Sequence, residues 1–281
     1  MGLFDWFKTT KVDEVTKNIQ EKIEIDYSDF NLVTEYIHSL SGITDLDKRT
    51  LTTTRLQQFA STHHIYKTHD FLNEMKNSDE FTQEVINIAT VNETYFLREH
   101  QELEWLVEYI KNQKRVLQIL SMPSSSGEEV YTVLLMLDKA GVDITNITIS
   151  GFDINSHAIE LAKLGVYTEY SLHKLDENIK EKYFSINEDK NYVIDEKLTR
   201  QVSFTQNNIF NLVDSFEKYD IILSRNMFIY FDEENKIKAL NIIVSLLKND
   251  GIYIKGHADN IYTHEHLENI QYGIYKKNKG I

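Results

Sequence analysis

A loop of small residues at positions 121–129 (SMPSSSGEE) has the composition that lets backbone N–H groups approach a ligand at the start of a helix. It contains one glycine, Gly127, where dinucleotide-binding loops carry GxGxxG, and it lacks the GK[ST] of phosphate-binding loops. ATP, GTP and dinucleotides are therefore not indicated as ligands. A turn that only leads into a helix explains the same residues, so this loop needs support from other segments.

A carboxylate closes the next apolar run, because Asp153 is the last residue of the stretch 147–153 (ITISGFD). At the end of a parallel strand, such a side chain can accept both ribose hydroxyls of a nucleoside. Its separation in sequence from Gly127 slightly exceeds the roughly 20 residues typical of dinucleotide folds. Taken alone, Asp153 is equally well interpreted as a cap of the following helix.

Two further segments combine arginine and amide side chains with aromatic residues. Residues 92–99 (NETYFLRE) precede the first apolar run, and residues 224–232 (SRNMFIYFD) include the end of a later one. Buried guanidinium and amide groups must be paired. Each segment can therefore serve either a ligand or the protein's own structure.

The elements that must position these segments change in kind along the chain. Up to about residue 90, apolar residues recur at helical spacing, and the first helix is predicted to be capped by Ser28 and Asp29 and to end at Gly42. The other helices predicted in this part begin at about Asp47 and cover residues 70–76 and 78–89.

From residue 115 onward, short apolar runs alternate with helical periods. The runs are residues 115–121, 147–153, 220–224 and 251–256, and the helices are residues 128–139, 156–163 and 232–247. This alternation predicts an α/β fold with a doubly wound sheet, in which ligands bind beyond the carboxyl ends of the strands. The predicted units are a small all-helical domain (1–90), an α/β domain (91–281), a small β excursion within it (about 183–204) and a solvated lysine-rich end (276–279).

Composition narrows the possible partners. The 281 residues carry a formal net charge of −14, which disfavours sequence-independent binding of nucleic acid. Without cysteine, the chain has no disulfide or thiolate zinc site, and histidines such as His63, His64 and His100 show no metal-ligand spacing. No apolar run approaches the roughly 20 residues that span a bilayer. We expect a cytoplasmic protein without a metal. Residues 1–8 are expected to pack as a terminal helix, with a small amphipathic anchor or a docking segment as the alternative.

The order of these motifs resembles that of the CheR-type chemoreceptor methyltransferases, from about residue 31 to residue 277. Members carry an N-x-T-x-F-F-R-like segment, an S-T/S-G-E-E-P-Y loop, an A-T/F-D-I-D strand end, a C-R-N-V-x-I-Y-F-D motif and a G-H-S-E-like strand end. The matching residues are 92–98 (NETYFLR), 125–131 (SSGEEVY), 151–155 (GFDIN), 224–232 (SRNMFIYFD) and 256–259 (GHAD). The resemblance implies a Rossmann-like domain that uses S-adenosylmethionine, releases S-adenosylhomocysteine and methylates glutamate side chains of chemoreceptors.

The resemblance also implies a role for each matching residue. It places Arg98 and Tyr230 nearest the transferred methyl group, as the candidate catalytic residues. The cofactor-binding residues that it implies are Asn92, Thr94, Arg98, Glu129, Asp153, Asn208, Ile209, Arg225 and Asn226. It further implies a basic helix that meets the acidic methylation helices of the receptor, here with the substrate-binding residues Lys48, Arg49 and Arg55.

The chemistry of such a site needs no metal. A glutamate side chain has an unperturbed pKa of about 4.3 and is already ionised near neutral pH. It therefore needs placement in line with the methyl–sulfonium bond rather than a strong base, and such orientation contributes about 7–11 kcal/mol in favourable cases. We expect Arg98 to steer the carboxylate, and Tyr230 to orient it or the sulfonium.

The sequence departs from the family pattern in two regions. Met122 and Pro123 stand where small residues are usual, but the cofactor is still expected to fit because Gly127 is retained. Gln57 and Gln58 stand where further arginines are common, which should weaken electrostatic steering toward an acidic partner. Because the β excursion is short, we do not expect it to dock a receptor tail peptide.

Three alternatives remain for the function. The first is a regulatory or scaffold protein that binds S-adenosylmethionine or S-adenosylhomocysteine but has lost transfer, and the retained Arg98 and Tyr230 argue against it. The second is a methyltransferase for small molecules or nucleic acid, which fits the helical front domain and the acidic charge less well. The third is a nucleotide-dependent oxidoreductase, against which the missing GxGxxG counts.

Overall fold

The computed structural model describes residue 26 and residues 28–46, 48–212 and 218–278. The segment 1–8 and Asp47, near which the second helix is predicted to begin, lie outside these residues. No helix in the part that the structure describes is both long enough and apolar enough to cross a membrane.

Four helices of the described chain precede residue 90. They are α1 (Asn31–Ser41), α2 (Thr50–Thr62), α3 (Thr68–Asn77) and α4 (Asp79–Ala89). Their apolar faces pack around one core, in which Val33, Leu56 and Phe71 are fully buried. The expectation of a helical front part is confirmed, whereas its boundary as a domain at residue 90 stays a prediction.

Helix α1 ends where the sequence predicts, but its predicted N-terminal cap is not formed. Gly42 follows the helix in the left-handed conformation, with φ +73°, and its N–H donates to the carbonyl of His38 at 2.7 Å. The predicted cap is wrong, because Phe30 occupies the N-cap position without a side-chain bond. Ser28 instead directs its N–H and its hydroxyl to Asp26 Oδ1, at 3.1 and 2.7 Å. The Ser28 side chain therefore bonds to a carboxylate two residues away instead of capping the helix.

The remainder of the chain forms the predicted α/β fold. Its helices are α5 (Gln101–Lys111), α6 (Glu128–Lys139), α7 (Ser156–Leu164), α8 (Glu177–Tyr183), α9 (Glu196–Thr199) and α10 (Glu233–Leu246). Its strands are β1 (Leu117–Ser121), β2 (Ile147–Asp153), β3 (Val166–Tyr167), β4 (Phe184–Ile186), β5 (Tyr192–Ile194), β6 (Val202–Gln206), β7 (Tyr219–Ser224), β8 (Leu247–Lys255), β9 (Leu267–Gln271) and β10 (Ile274–Lys277).

Seven of these strands form one sheet in the order β6-β2-β1-β7-β8-β10-β9. The first five are parallel, and β10 runs antiparallel to both of its neighbours. All six residues of β7 are buried, as expected for a central parallel strand covered on both faces. The antiparallel β10 includes Lys276 and Lys277, so part of the predicted solvated end is a sheet strand.

The β excursion differs from its predicted bounds. It is a three-stranded antiparallel sheet in the order β3-β5-β4, which starts at Val166 and ends at Ile194. The predicted final stretch, residues 201–204, falls on β6 instead, which pairs with β2 at the edge of the main sheet. Alternating apolar residues predict a strand but not its partner, which is why the sequence placed this segment in the wrong sheet.

Candidate active site

The carboxyl ends of β1, β2, β6, β7 and β8 lie at one edge of the sheet, because these five strands run parallel. Beyond them lies a cleft of about 1110 Å³, a volume that includes the solvent at its open mouth. All the predicted cofactor-binding residues line this cleft, and so do Tyr230 and Arg49. The fold therefore brings together segments up to about 180 positions apart, while their contacts with a cofactor stay a prediction.

Asp153 lies at the inner wall of the cleft and is only 4% exposed. Its Oδ1 accepts the N–H of Asn155 and its Oδ2 accepts the N–H of Ser125, both at 2.8 Å. Burial raises the pKa of this carboxyl above its usual value, and the backbone N–H bonds only partly oppose that effect. A carboxylate has about four acceptor positions, so Asp153 retains capacity for a pair of ligand hydroxyls.

The loop after β1 follows the backbone course that its small residues permit. Gly127 adopts φ +94°, and a Cβ there would lie 3.0 Å from Phe204 and 3.1 Å from the Tyr167 hydroxyl. Both the conformation and the close packing therefore require glycine. The hydroxyls of Ser124 and Ser125 are buried on this loop without a hydrogen-bond partner among the described residues.

Arg225 is buried and joins its own loop to the segment at residues 98–99 and to the first turn of α6. Its side chain is 3% exposed, and Nη1 donates to Glu129 Oε2 at 2.6 Å. Nη2 donates to the carbonyls of Arg98 and Glu99 at 2.8 and 2.7 Å. Glu129 is fixed from its other oxygen by the hydroxyl of Ser121 at 2.9 Å. Arg225 thus lines the cleft as predicted, but most of its donors serve the protein.

Arg98 projects from the segment that joins the helical part to the sheet. Its Nη1 donates to the carbonyl of Glu93 at 2.5 Å, and its Nε lies 4.0 Å from Glu99 Oε1. The Arg98 side chain is 29% exposed, which places a positive charge at the cleft with access to solvent. It can therefore meet an incoming carboxylate.

Tyr230 is held at the same cleft by the helical part of the chain. Thr44 donates its N–H and its hydroxyl to the Tyr230 carbonyl, at 2.8 and 3.1 Å. The Arg49 guanidinium lies 5.1 Å from the centre of the Tyr230 ring. Burial raises the pKa of the Tyr230 phenol, against the opposing charges of Arg49 and Arg98. The phenol is therefore protonated near neutral pH and acts as a hydrogen-bond donor.

A residue to which the sequence analysis assigned no role, Asp259, supports the turn that carries Tyr230. It has no exposed surface, and it accepts the N–H groups of Asn226, Phe228 and Gly256 at 2.6, 2.8 and 3.1 Å. The 256–259 motif marks Asp259 in the sequence. The sequence does not show that the end of β8 meets the distant turn at residues 226–228. Asp259 therefore fixes the backbone between Asn226 and Tyr230.

The loop after β6 connects the cleft to the helical part. Asn208 donates from Nδ2 to the carbonyl of Leu40 at 2.8 Å, and its Oδ1 accepts the N–H of Phe210 at 3.0 Å. The next residue, Ile209, is buried and apolar. The Asn208 side chain is thus engaged within the protein, and Ile209 contributes an apolar surface to the cleft.

The three basic residues predicted to bind the substrate are separated in the structure. Arg49 lines the cleft, and its Nη1 is buried without a hydrogen-bond partner among the described residues. Lys48 is exposed and pairs with Asp45 at 2.5 Å. Arg55 is exposed on α2 and does not line the cleft. One of the three, Arg49, therefore lines the cleft, and the other two lie on the protein surface.

The sheet order, the carboxylate at the end of β2 and the cleft beyond the strands define a Rossmann-like α/β fold with a ligand site at the carboxyl edge of its sheet. Residues 92–275 match the family model described as "CheR methyltransferase, SAM binding domain". The chain belongs to the CheR methyltransferase family.

Curated relatives cover most of the chain. A "Chemotaxis protein methyltransferase" of Campylobacter jejuni is 36% identical over 242 residues, which cover 86% of this chain and 92% of the relative. The "Chemotaxis protein methyltransferase 2" of Vibrio cholerae is 30% identical over 277 residues, covering 92% and 96%. The "Chemotaxis protein methyltransferase" of Escherichia coli K12 is 26% identical over 256 residues, covering 88% of each chain.

The cleft fits the S-adenosylmethionine that this family binds. Ser124 Oγ, Ser125 Oγ and Arg225 Nε are buried there without a hydrogen-bond partner among the described residues. A ligand with hydroxyl, amino and carboxylate groups can satisfy such atoms, which are costly to leave unpaired. The carboxylates of Asp153 and Glu129 suit hydroxyl and ammonium donors, and Ile209 and Phe152 offer apolar surface to a base.

Proposed function

We propose that this enzyme transfers the methyl group of S-adenosylmethionine to glutamate side chains of chemoreceptors and so forms methyl esters. Relatives named chemotaxis protein methyltransferases support this substrate class. The observation that carries the proposal is the cleft itself. It combines Asp153 and Glu129 at its wall with two arginines, Arg49 and Arg98, and the phenol of Tyr230.

The cofactor-binding roles are proposed as follows. Asp153 accepts the ribose hydroxyls, because it is a buried carboxylate with free acceptor positions. Glu129 faces the positively charged amino group of the methionine part, since it presents a carboxylate held in place from both sides. The other residues proposed to line the bound cofactor are Asn92, Thr94, Arg98, Asn208, Ile209, Arg225 and Asn226.

When bound, the cofactor supplies a methyl carbon attached to positively charged sulfur. The chain does not have to remove a proton, because the glutamate substrate is ionised at neutral pH. Arg98 binds and directs the incoming carboxylate, and the Tyr230 hydroxyl donates a hydrogen bond that orients it. Arg49, whose Nη1 is buried without a partner in the described chain, provides a second positive group for the same carboxylate. Catalysis in this proposal comes from orientation and charge.

The receptor is proposed to approach along α2. Arg55 is exposed on α2 and Lys48 is exposed just before the helix begins, and Gln57 and Gln58 add no charge. Electrostatic steering toward an acidic receptor helix is therefore modest. We further propose that the three-stranded excursion docks no receptor tail peptide, and that the enzyme acts in the cytoplasm on the receptor's cytoplasmic helices.

The proposal is tested by methyl transfer from labelled S-adenosylmethionine to a purified chemoreceptor cytoplasmic domain. Esters lose their label as methanol in mild alkali, whereas methylated amines do not. We expect alkali-labile label, and a rate that falls by about two orders of magnitude in Arg98→Ala. Arg200→Ala is the matched control, because Arg200 is exposed directly after α9 and pairs with Glu196 one helical turn away.

Two results would count against the proposal. Label that is stable to alkali would point to a different acceptor group. Binding of S-adenosylhomocysteine without transfer to any receptor would support the scaffold alternative. Unaltered turnover by Arg98→Ala would remove the role assigned to Arg98 while leaving the reaction class in place.

A further inference from the structure

Glu99 lies between two arginines that have different surroundings. Its Oε1 is 4.0 Å from Nε of Arg98, and its Oε2 is 3.5 Å from Nη2 of Arg225. The same carboxylate accepts the N–H of His257 at 3.2 Å and the amide of Asn226 at 3.4 Å. Burial raises the pKa of Glu99, but these bonds and charges outweigh it and the net pKa is lowered. Glu99 is therefore a fixed negative charge next to the reaction site.

The backbone around Glu99 is strained and needs support. Leu97 and Glu99 have φ values of +60° and +45°, in the left-handed region that residues with side chains rarely occupy. Arg225 holds this conformation by donating from Nη2 to the carbonyls of Arg98 and Glu99. Such backbone persists only where its surroundings fix it, and here the fixing group is a guanidinium.

The charge of Arg225 is balanced by two carboxylates. Its buried guanidinium lies against Glu129 on one side and Glu99 on the other. A buried guanidinium that loses a partner is strongly disfavoured. Replacing the Glu99 carboxylate therefore loosens the clamp as well as the contact with Arg98.

The direction of the Arg98 guanidinium follows from the same contacts. Nη1 is bound by the Glu93 carbonyl and Nε faces Glu99, which leaves Nη2 without a protein partner in the part of the chain that the structure describes. The guanidinium is thus held from one side and presents its other side to the cleft.

We infer that Glu99 is a positioning residue for methyl transfer, which together with Arg225 fixes the segment carrying Arg98 and aims the Arg98 guanidinium at the substrate carboxylate. The inference rests on the proposed function for the identity of that carboxylate. Glu99 is not among the residues that line the cleft, so its effect is exerted through Arg98 rather than by contact with substrate or cofactor.

The kinetic test compares Glu99→Gln with Glu104→Gln in the full chain. Glu104 is an exposed glutamate on α5 whose carboxylate lies 3.7 Å from His100, and it serves as the matched control. We expect kcat of Glu99→Gln to fall about tenfold, with the Kd for S-adenosylhomocysteine within about threefold of wild type. In an Arg98→Ala background the same change should cost less than about twofold, because residues that act as a unit are not additive.

Three kinetic results would overturn the inference. They are kcat of Glu99→Gln within about twofold of wild type, an equal cost of the change in both backgrounds, and a loss of S-adenosylhomocysteine affinity in proportion to the loss of rate. The second would show that Glu99 acts independently of Arg98. The third would show a general role in the cofactor site.

A measurement without receptor separates this inference from the proposed function. The N–H of Leu97 donates to Thr132 Oγ1 at 3.2 Å and that of Arg98 to the Tyr95 carbonyl at 3.4 Å, so both amides report on the segment. Glu99→Gln should speed their hydrogen exchange about tenfold and leave Ile119 in β1 unchanged. Unchanged exchange at both amides overturns the inference. If exchange is faster but the enzyme methylates no receptor, Glu99 does stabilise the segment that carries Arg98, and the proposed substrate is wrong.

Discussion

Replacing Asp153 by alanine removes two kinds of hydrogen bond at once. The buried carboxylate accepts the N–H groups of Ser125 and Asn155 at 2.8 Å each, and it is proposed to accept the two ribose hydroxyls of the cofactor. The first pair contributes to folding and the second to binding. The variant should therefore lose stability and affinity by separate mechanisms that can be measured separately.

The loss of affinity follows from the number of ligand bonds. A hydrogen bond to a charged group contributes about 1.5–3 kcal/mol. Two such bonds to the same carboxylate are not fully additive, so we expect about 3 kcal/mol in total. Because 1.4 kcal/mol corresponds to a tenfold change in Kd, Asp153→Ala should weaken S-adenosylhomocysteine binding by about two orders of magnitude.

Two opposing effects determine how much stability the Asp153→Ala protein loses. Two buried N–H groups would lose their acceptor, at about 1–3 kcal/mol each. Burial raises the pKa of Asp153, which means that the ionised form costs the folded state free energy at neutral pH, and its removal offsets part of that loss. We expect a net decrease of about 2 kcal/mol. Asp153→Asn retains one acceptor oxygen and should be more stable than Asp153→Ala.

The assay is calorimetric titration with S-adenosylhomocysteine, accompanied by urea unfolding of each variant. Asp143→Asn is the control, because Asp143 also accepts a backbone N–H, from Thr145 at 3.1 Å, but is exposed and distant from the cleft. Its Kd should match that of wild type. An Asp153→Ala protein that is folded and binds S-adenosylhomocysteine within about threefold of wild type would refute the reasoning.

Two further predictions concern the support of the site and the stability of the fold. Gly256→Ala would place a methyl group 2.7 Å from the Asn226 backbone nitrogen, so methyl transfer should fall at least about tenfold, and full activity would contradict this prediction. Gly141→Ala is the control: its Cβ meets nothing within 4 Å but φ is +77°, so it should lower the unfolding free energy and leave the Kd for S-adenosylhomocysteine unchanged. The hydrogen bond from Lys197 helps to hold the pKa of Asp138 at about 2, so Asp138→Asn should destabilise the protein at pH 7 by about 1 kcal/mol after screening. That difference is present above the unfolded pKa and should shrink in thermal melts as the pH falls from about 4 toward 2; a constant difference would contradict it.

The sequence was sufficient for the features that depend on local pattern. The apolar runs predicted the parallel strands, and the rule that ligands bind at their carboxyl ends brought Asp153 and Tyr230 to one cleft. The resemblance added Arg98, which no periodicity identifies. The position of these residues at one cleft could be predicted because parallel strands share one carboxyl edge, whatever their order in the sheet.

The features that the sequence did not yield depend on contacts between distant segments. Arg225 was expected to line the cofactor pocket, but its clamp on the Arg98 carbonyl spans 127 positions and has no local signature. Asp259 likewise receives N–H groups from a turn that lies about 30 positions earlier. Lys277 was predicted to lie in a solvated end, yet its Nζ donates to the carbonyls of Val244 and Leu247 at 2.7 and 2.8 Å. In each case the sequence identifies the side chain but does not predict which distant group it bonds to.

The most direct test of the central claim is mass-spectrometric mapping of a chemoreceptor cytoplasmic domain after reaction with wild-type enzyme and S-adenosylmethionine. Methyl groups are expected on glutamate side chains, and each should be lost when the glutamate at that position is replaced by glutamine. Methylation confined to other residue types, or none in an enzyme that binds S-adenosylhomocysteine, would contradict the claim.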